Sequence, residues 1–155
     1  MIVAFLQNAW SPVYAGGTWP RRSWLRALHA SRSGQRLAIL TGAATGLEFW
    51  FDNTTPIVGA EPSSIVEPDA EHIAEVVRSQ NPGQVIAMGK QAAAAVAPFV
   101  SVPMLIVPHP AYRCLTNALY ERAGEMLVDG FSGIIELKQG RGVIQTVEHD
   151  VTELV

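Results

Sequence analysis

Four short, mainly apolar runs constrain this chain more than any other feature. They are Ile2–Leu6, Leu47–Asp52, Gln84–Met88 and Met104–Val107. Each is too short for a stable helix and is rich in β-branched or aromatic residues. Continuous runs of this kind read as strands buried on both faces, the pattern of a parallel sheet. Helical segments separate them. Pro20 opens one, with Trp24, Leu25 and Leu28 as its apolar stripe and Gly34 as its stop. Asp69–Ser79 is a second, with Ile73, Val76 and Val77 facing inward. Lys90–Ala97 is a third, ended by Pro98, and Thr116 caps a fourth that runs to about Asp129. Strand and helix in alternation specify an α/β domain with a mainly parallel sheet. At 155 residues the chain reads as a single domain, with a core over 1–129 and an extension over 130–155.

Two stretches stay open at this level. Leu37–Leu40 reads as a strand or as a helix end. After Gly130, Ile134–Leu137 and Val143–Val147 form a hairpin around Gly140 and Gly142, or the fourth helix simply continues.

Composition excludes several function classes. Hydrophobic residues make up 48% and charged residues 16%, which rules out intrinsic disorder. The single cysteine, Cys114, rules out a disulfide framework and any multi-cysteine metal site. The histidines are scattered with no HExxH, and no GxGxxG or GxSxG occurs. Gly83 and Gly89-Lys90 enclose five residues and Gln91 follows, so this is a poor phosphate loop. No metal or cofactor is expected. Ile2–Leu6 has no basic leader, and the Ala92–Val107 stretch is broken by Pro98, Ser101 and Pro103. The expectation is a cytoplasmic protein with no membrane partner.

The formal net charge of −3 hides an asymmetry. Residues 1–47 carry Arg21, Arg22, Arg26, Arg32 and Arg36 and no acid, a charge of +5. The remainder carries 14 acidic and 6 basic residues, a charge of −8. Such an imbalance points to contact with a polyanion, or to five arginines that merely solvate one helix face.

In parallel sheets, ligands bind outside the carboxyl ends of the strands. The loops after Leu6, Asp52 and Val107 therefore belong on one edge, and they carry Asn8, Asn53 and His109. An asparagine there reads a base edge through one donor and one acceptor, or forms an Asx-turn. A histidine there donates to a developing anion, or hydrogen-bonds its own turn.

The order of these segments resembles the uracil-DNA glycosylase superfamily, in its mismatch-specific and single-strand-selective branches. Leu6-Gln7-Asn8 is similar to the family's first motif, although the family has glycine where Leu6 stands, and Ala9-Trp10-Ser11 intervene before Pro12. Phe51-Asp52-Asn53 resembles the strand end that reads the base. Gln84–Lys90 with Ala92 resembles the family's strand–glycine–helix segment. Pro108-His109-Pro110-Ala111 resembles its His-Pro-Ser loop, with alanine in place of serine. The likeness spans about four fifths of the chain.

The resemblance implies a three-layer α/β/α fold with a short parallel sheet. It implies hydrolysis of the N-glycosidic bond of uracil or another modified pyrimidine in single-stranded or mismatched DNA, without metal or cofactor. Asn8 would position the water and His109 would stabilise the leaving base. Asn53 would read that base, with Trp19 or Tyr14 stacking on it; Trp10 is a further aromatic candidate. Arg21, Arg22 and Arg26 would contact phosphates, and Tyr112 or Arg113 would fill the stack that the base leaves. The departures at Leu6, Ala9 and Ala111 leave a second expectation, a catalytically degenerate relative that binds DNA, a nucleobase or a protein partner.

Overall fold

All four apolar runs are strands of one sheet in a computed structural model of the protein, which describes residues 1–7, 32–57, 66–110, 117–130, 132–140 and 143–150. The strands are β1 (Ile2–Leu6), β2 (Phe49–Asn53), β3 (Gln84–Met88), β4 (Met104–Val107), β5 (Gly133–Gly140) and β6 (Val143–Asp150). Their order is β2-β1-β3-β4-β5-β6. The first five are mutually parallel, and β6 runs antiparallel to β5. The described helices are α1 (Arg32–Ala43), α2 (Ala70–Gln80), α3 (Lys90–Val96) and α4 (Asn117–Val128).

The alternation of side chains along β1 sorts the core into two layers. Ile2, Ala4 and Leu6 pack with Leu37 and Leu40 of α1 and with Tyr120 and Met126 of α4. Val3 and Phe5 pack with Ile73 and Val76 of α2 and with Ala93 and Val96 of α3. Every residue of β1 is buried, as a central strand covered on both faces requires. The architecture is therefore α/β with helices on both sides of a parallel sheet.

Local chemistry sets the helix ends. Asp69 caps α2 by accepting from the His72 backbone N–H at 3.1 Å. Asn81 ends it in the left-handed region at φ 45°, donating to the Val77 carbonyl. Gly130 does the same after α4 at φ 71°, where a side chain would be strained. That stop resolves the ambiguous tail: the helix does not continue, and β5 and β6 form a hairpin.

Two details differ from the sequence reading. Leu37–Leu40 lies in α1, and Gly34 sits inside that helix rather than ending one. A glycine costs a helix about 1 kcal/mol. Full burial of Leu37 and Leu40 outweighs it at roughly 1.5–3 kcal/mol per side chain. Arg36 is 4% exposed, so it is not one of a set of solvated arginines. The helix expected from Pro20 and the cap expected at Thr116 lie outside the described residues. Among the described residues, no helix is long and apolar enough to cross a membrane.

Candidate functional site

The parallel register gathers the strand ends as expected. Leu6 pairs with Asn53, and Met88 pairs with Val107. The Gly89 N–H donates to the Val107 carbonyl at 2.7 Å. Asn53 and the Pro108-His109-Pro110 loop thus stand on the same carboxyl edge, with β1 and β3 between them. Three interstrand spacings separate their strands, about 14 Å of backbone, and Asn53 itself is buried. The chain leaves β1 toward β2 on one side and reaches β3 on the other. This is the topological switch point at which doubly wound sheets bind ligands.

Asn53 is held by its neighbour. Asp52 is buried, and its carboxylate accepts from the Asn53 N–H at 2.8 Å and from Trp50 Nε1 at 3.2 Å. His72 Nε2 on α2 lies 2.9 Å from the same carboxylate. That hydrogen bond, with the charges of Asp52 and Asp69, raises the His72 pKa above 6.5 despite partial burial. Thr54 ties β2 to β1, donating from Oγ1 to the Gln7 carbonyl at 2.7 Å. The Asp69 N–H then donates to the Thr54 carbonyl at 2.8 Å, docking the start of α2 on this turn. These bonds fix the backbone of the strand end, and Asn53 is carried on a rigid support.

Replacing His72 with glutamine exposes the electrostatic part of this support. A raised folded-state pKa contributes stability that is complete below pH 6.5 and is lost as pH rises through the folded value. Urea unfolding of wild type and His72→Gln should therefore differ more at about pH 6 than at about pH 9. Equal differences at both pH values would mean that the ring acts only as a neutral spacer.

The His109 loop is clamped from the opposite layer. Tyr120 Oη on α4 donates to the Pro108 carbonyl at 2.6 Å. Arg36 Nη1 on α1 donates to the Pro110 carbonyl. Burial drives the Tyr120 pKa upward, so the phenol stays a donor. On the sheet side, a Cβ built on Gly89 would lie 3.5 Å from His109 Cβ, and Gly89 itself has φ 101°. Glycine is required there by conformation alone, since a Cβ would make only an ordinary van der Waals contact with His109. His109 is half-buried, and that burial lowers its pKa below 6.5. The imidazole is neutral at pH 7 and carries one N–H donor.

Between these two anchors lie Gln7, after β1, and Gln91, in the first turn of α3. Gln7 Nε2 donates to Gln91 Oε1 across the switch point. Both line a cleft of about 420 Å³, with Val66, Glu67 and Pro68 on one wall and Ala94 and Ala95 on the other. Its volume falls in the ordinary range of small-molecule sites, and neither Asn53 nor His109 lines it.

Of the site residues expected from sequence, the structure describes Asn53 and His109 and brings both to one edge. Asn8, Tyr14, Trp19, Arg21, Arg22, Arg26, Tyr112 and Arg113 lie outside the described residues. Sequence reading missed Asp52, His72, Arg36, Tyr120 and the Gln7–Gln91 pair. Only one of these left a local signal: Asp69 three residues before His72 marks the helix start that carries the histidine. The rest act across the fold. Among the described residues, no three His, Cys, Asp or Glu side chains gather in a metal-ligand group.

Comparison with known proteins gives no matching family model, no matching curated protein and no matching solved structure.

Proposed function

We propose that this protein is a DNA glycosylase that hydrolyses the N-glycosidic bond of uracil or another modified pyrimidine. The observation that carries the reading is the placement of a neutral His109 and a braced Asn53 on one carboxyl edge, on either side of the switch point. In the reaction, a water oxygen bonds to the sugar carbon as the carbon–nitrogen bond breaks. The electron pair leaves with the base, negative charge develops on its ring nitrogen and the adjoining exocyclic carbonyl oxygen, and the proton released by the water ends on the departed base. A neutral imidazole donor stabilises such an anion as an oxyanion hole does. The asparagine amide reads the base edge with one donor and one acceptor. Asn8 follows Gln7 in the chain and is assigned to position the water, which is catalysis by orientation rather than by proton abstraction.

A second reading is a protein that binds a base or DNA without cleaving it. Leu6 favours it. Where the resembled family has glycine, this chain has a leucine that is 8% exposed and packed in the core. The backbone near the water position is therefore shaped by a side chain that the family lacks.

Incubation with uracil-containing single-stranded and mismatched oligonucleotides, followed by alkaline cleavage of abasic sites, decides between them. The first reading expects strand breaks at uracil. Salt-dependent binding without breaks supports the second. No breaks and no binding at low salt would remove both.

A further inference from the structure

Asn53 is the last residue of an edge strand. Among the described residues β2 pairs with β1 alone, and Leu6–Asn53 is the final step of that pairing. A strand end with a neighbour on one side only is where a sheet opens first. Helix α2 supplies the hold that a second strand would give, and it grips the residues on both sides of Asn53. Before Asn53, Asp52 is 4% exposed. One of its oxygens, Oδ1, accepts the Asn53 N–H at 2.8 Å and lies 2.9 Å from His72 Nε2. After Asn53, the Thr54 carbonyl accepts from the Asp69 N–H at 2.8 Å. Asp69 in turn caps the backbone N–H of His72 at 3.1 Å.

A single carboxylate oxygen thus joins the imidazole to the backbone of Asn53. An ionised carboxylate only accepts, so Nε2 carries a proton. The ring also hydrogen-bonds the Asn53 backbone. A buried carboxylate deprived of this donor would be left with the Asn53 N–H and Trp50 Nε1. Among the described residues, the charges that act on the ring are Asp52 of β2 and Asp69 at the cap of α2, both negative. The neighbouring strand β1 is wholly apolar and adds none. The charged ring therefore grips the strand end harder than the neutral one. None of these bonds reaches the His109 loop, which Tyr120 and Arg36 hold from the other layer.

We infer that His72 is a positioning residue for Asn53, acting through Asp52 on how tightly the site holds a base and not on the bond-breaking step. The inference rests on the reading that Asn53 recognises the base, whether the base is then released or only bound. It makes affinity depend on a proton. The charged ring prevails below its raised pKa, so affinity is greatest there and falls as pH rises through that value. His109 acts in the opposite sense, since its neutral form is the one that donates to the leaving base. The two histidines therefore act on different quantities: His72 on affinity at the alkaline side, His109 on the rate at the acid side.

The test uses the full chain in excess over a uracil-containing single-stranded oligonucleotide. Single-turnover base release against protein concentration gives a plateau rate and a half-saturation concentration. His72→Ala should raise the half-saturation about 10-fold, the worth of a hydrogen bond to a charged group, with little change in the plateau. In an Asn53→Ala background the same change should add nothing, because its effect passes through Asn53. Wild-type half-saturation should rise with pH through the raised His72 value, whereas His72→Gln, which keeps a neutral N–H for Asp52, should show no such rise. Additive effects of His72→Ala and Asn53→Ala, or a lowered plateau at unchanged half-saturation, overturn the inference and leave the glycosylase reading standing. Should the alanine variant lose the wild-type circular dichroism, the glutamine comparison decides, and parallel pH profiles overturn the inference. If the wild type binds the oligonucleotide without releasing the base, the same cycle is read in Kd by fluorescence anisotropy. Coupling there sustains the inference while the glycosylase reading falls. Neither release nor binding removes both.

Discussion

Replacing His109 with alanine is expected to lower the rate of base release by about 10²- to 10³-fold, the cost of removing one preorganised donor to a developing anion. The loop itself should survive, because its carbonyls at Pro108 and Pro110 are held by Tyr120 and Arg36 rather than by the imidazole. His109→Gln, which restores an N–H donor, should recover part of the loss. The pH profile provides an independent check. Burial lowers the His109 pKa, so the neutral form persists below pH 6.5 and is lost only as pH falls through the lowered value. Activity should therefore hold steady from neutral pH to below 6.5 and then decline, and the decline should vanish in the glutamine variant. Single-turnover rates on a uracil oligonucleotide measure both effects. An alanine variant as fast as wild type would remove His109 from the chemistry.

The largest structural effect is expected at a site remote from that edge. A Cβ placed on Gly124 of α4 would lie 2.6 Å from Ala43 Cβ and 2.7 Å from the Leu40 carbonyl oxygen of α1. Neither neighbour is the far end of a flexible side chain. Gly124→Ala must therefore push two helices apart, and overpacking of this kind costs about 1–3 kcal/mol, here toward the upper end. Alanine is the better helix former by about 1 kcal/mol, so the propensity scale alone predicts the opposite sign. Denaturant unfolding of the variant distinguishes the two. A secondary consequence is expected at the site, because α1 carries Arg36 and α4 carries Tyr120, the two clamps on the His109 loop. Displacement of either helix should weaken catalysis along with stability.

The contrast between propensity and packing at Gly124 runs through the whole molecule. Strands were legible wherever a run was continuously apolar, because such a run is stable only when both faces are covered. Gln84–Met88 and Met104–Val107 have the same limits in sequence and structure. Asp69–Ser79 was legible because capping and amphipathic spacing are local, and α2 differs from it by one residue at each end. Gly34 reads locally as a helix breaker, but the tertiary burial of Leu37 and Leu40 overrides it. Arg36 misled because charge type suggests solvent, whereas a guanidinium that donates to a buried carbonyl can lie inside.

At the candidate site, the positions of Asn53 and His109 at strand ends were readable from one dimension. An asparagine that ends one buried strand of a parallel sheet and a histidine two residues beyond another must reach a common edge, since parallel strands all end on the same side. What holds them was not readable. The Asp52 carboxylate that receives His72, the phenol that holds Pro108 and the guanidinium that holds Pro110 each join elements apart in sequence. The strand order decides which of those elements are neighbours, and it depends on the packing of two helical layers at once. Local periodicity therefore sufficed for the kinds of element and for the edge where ligands belong. Long-range packing alone selected the order β2-β1-β3-β4-β5-β6 and the braces behind Asn53 and His109.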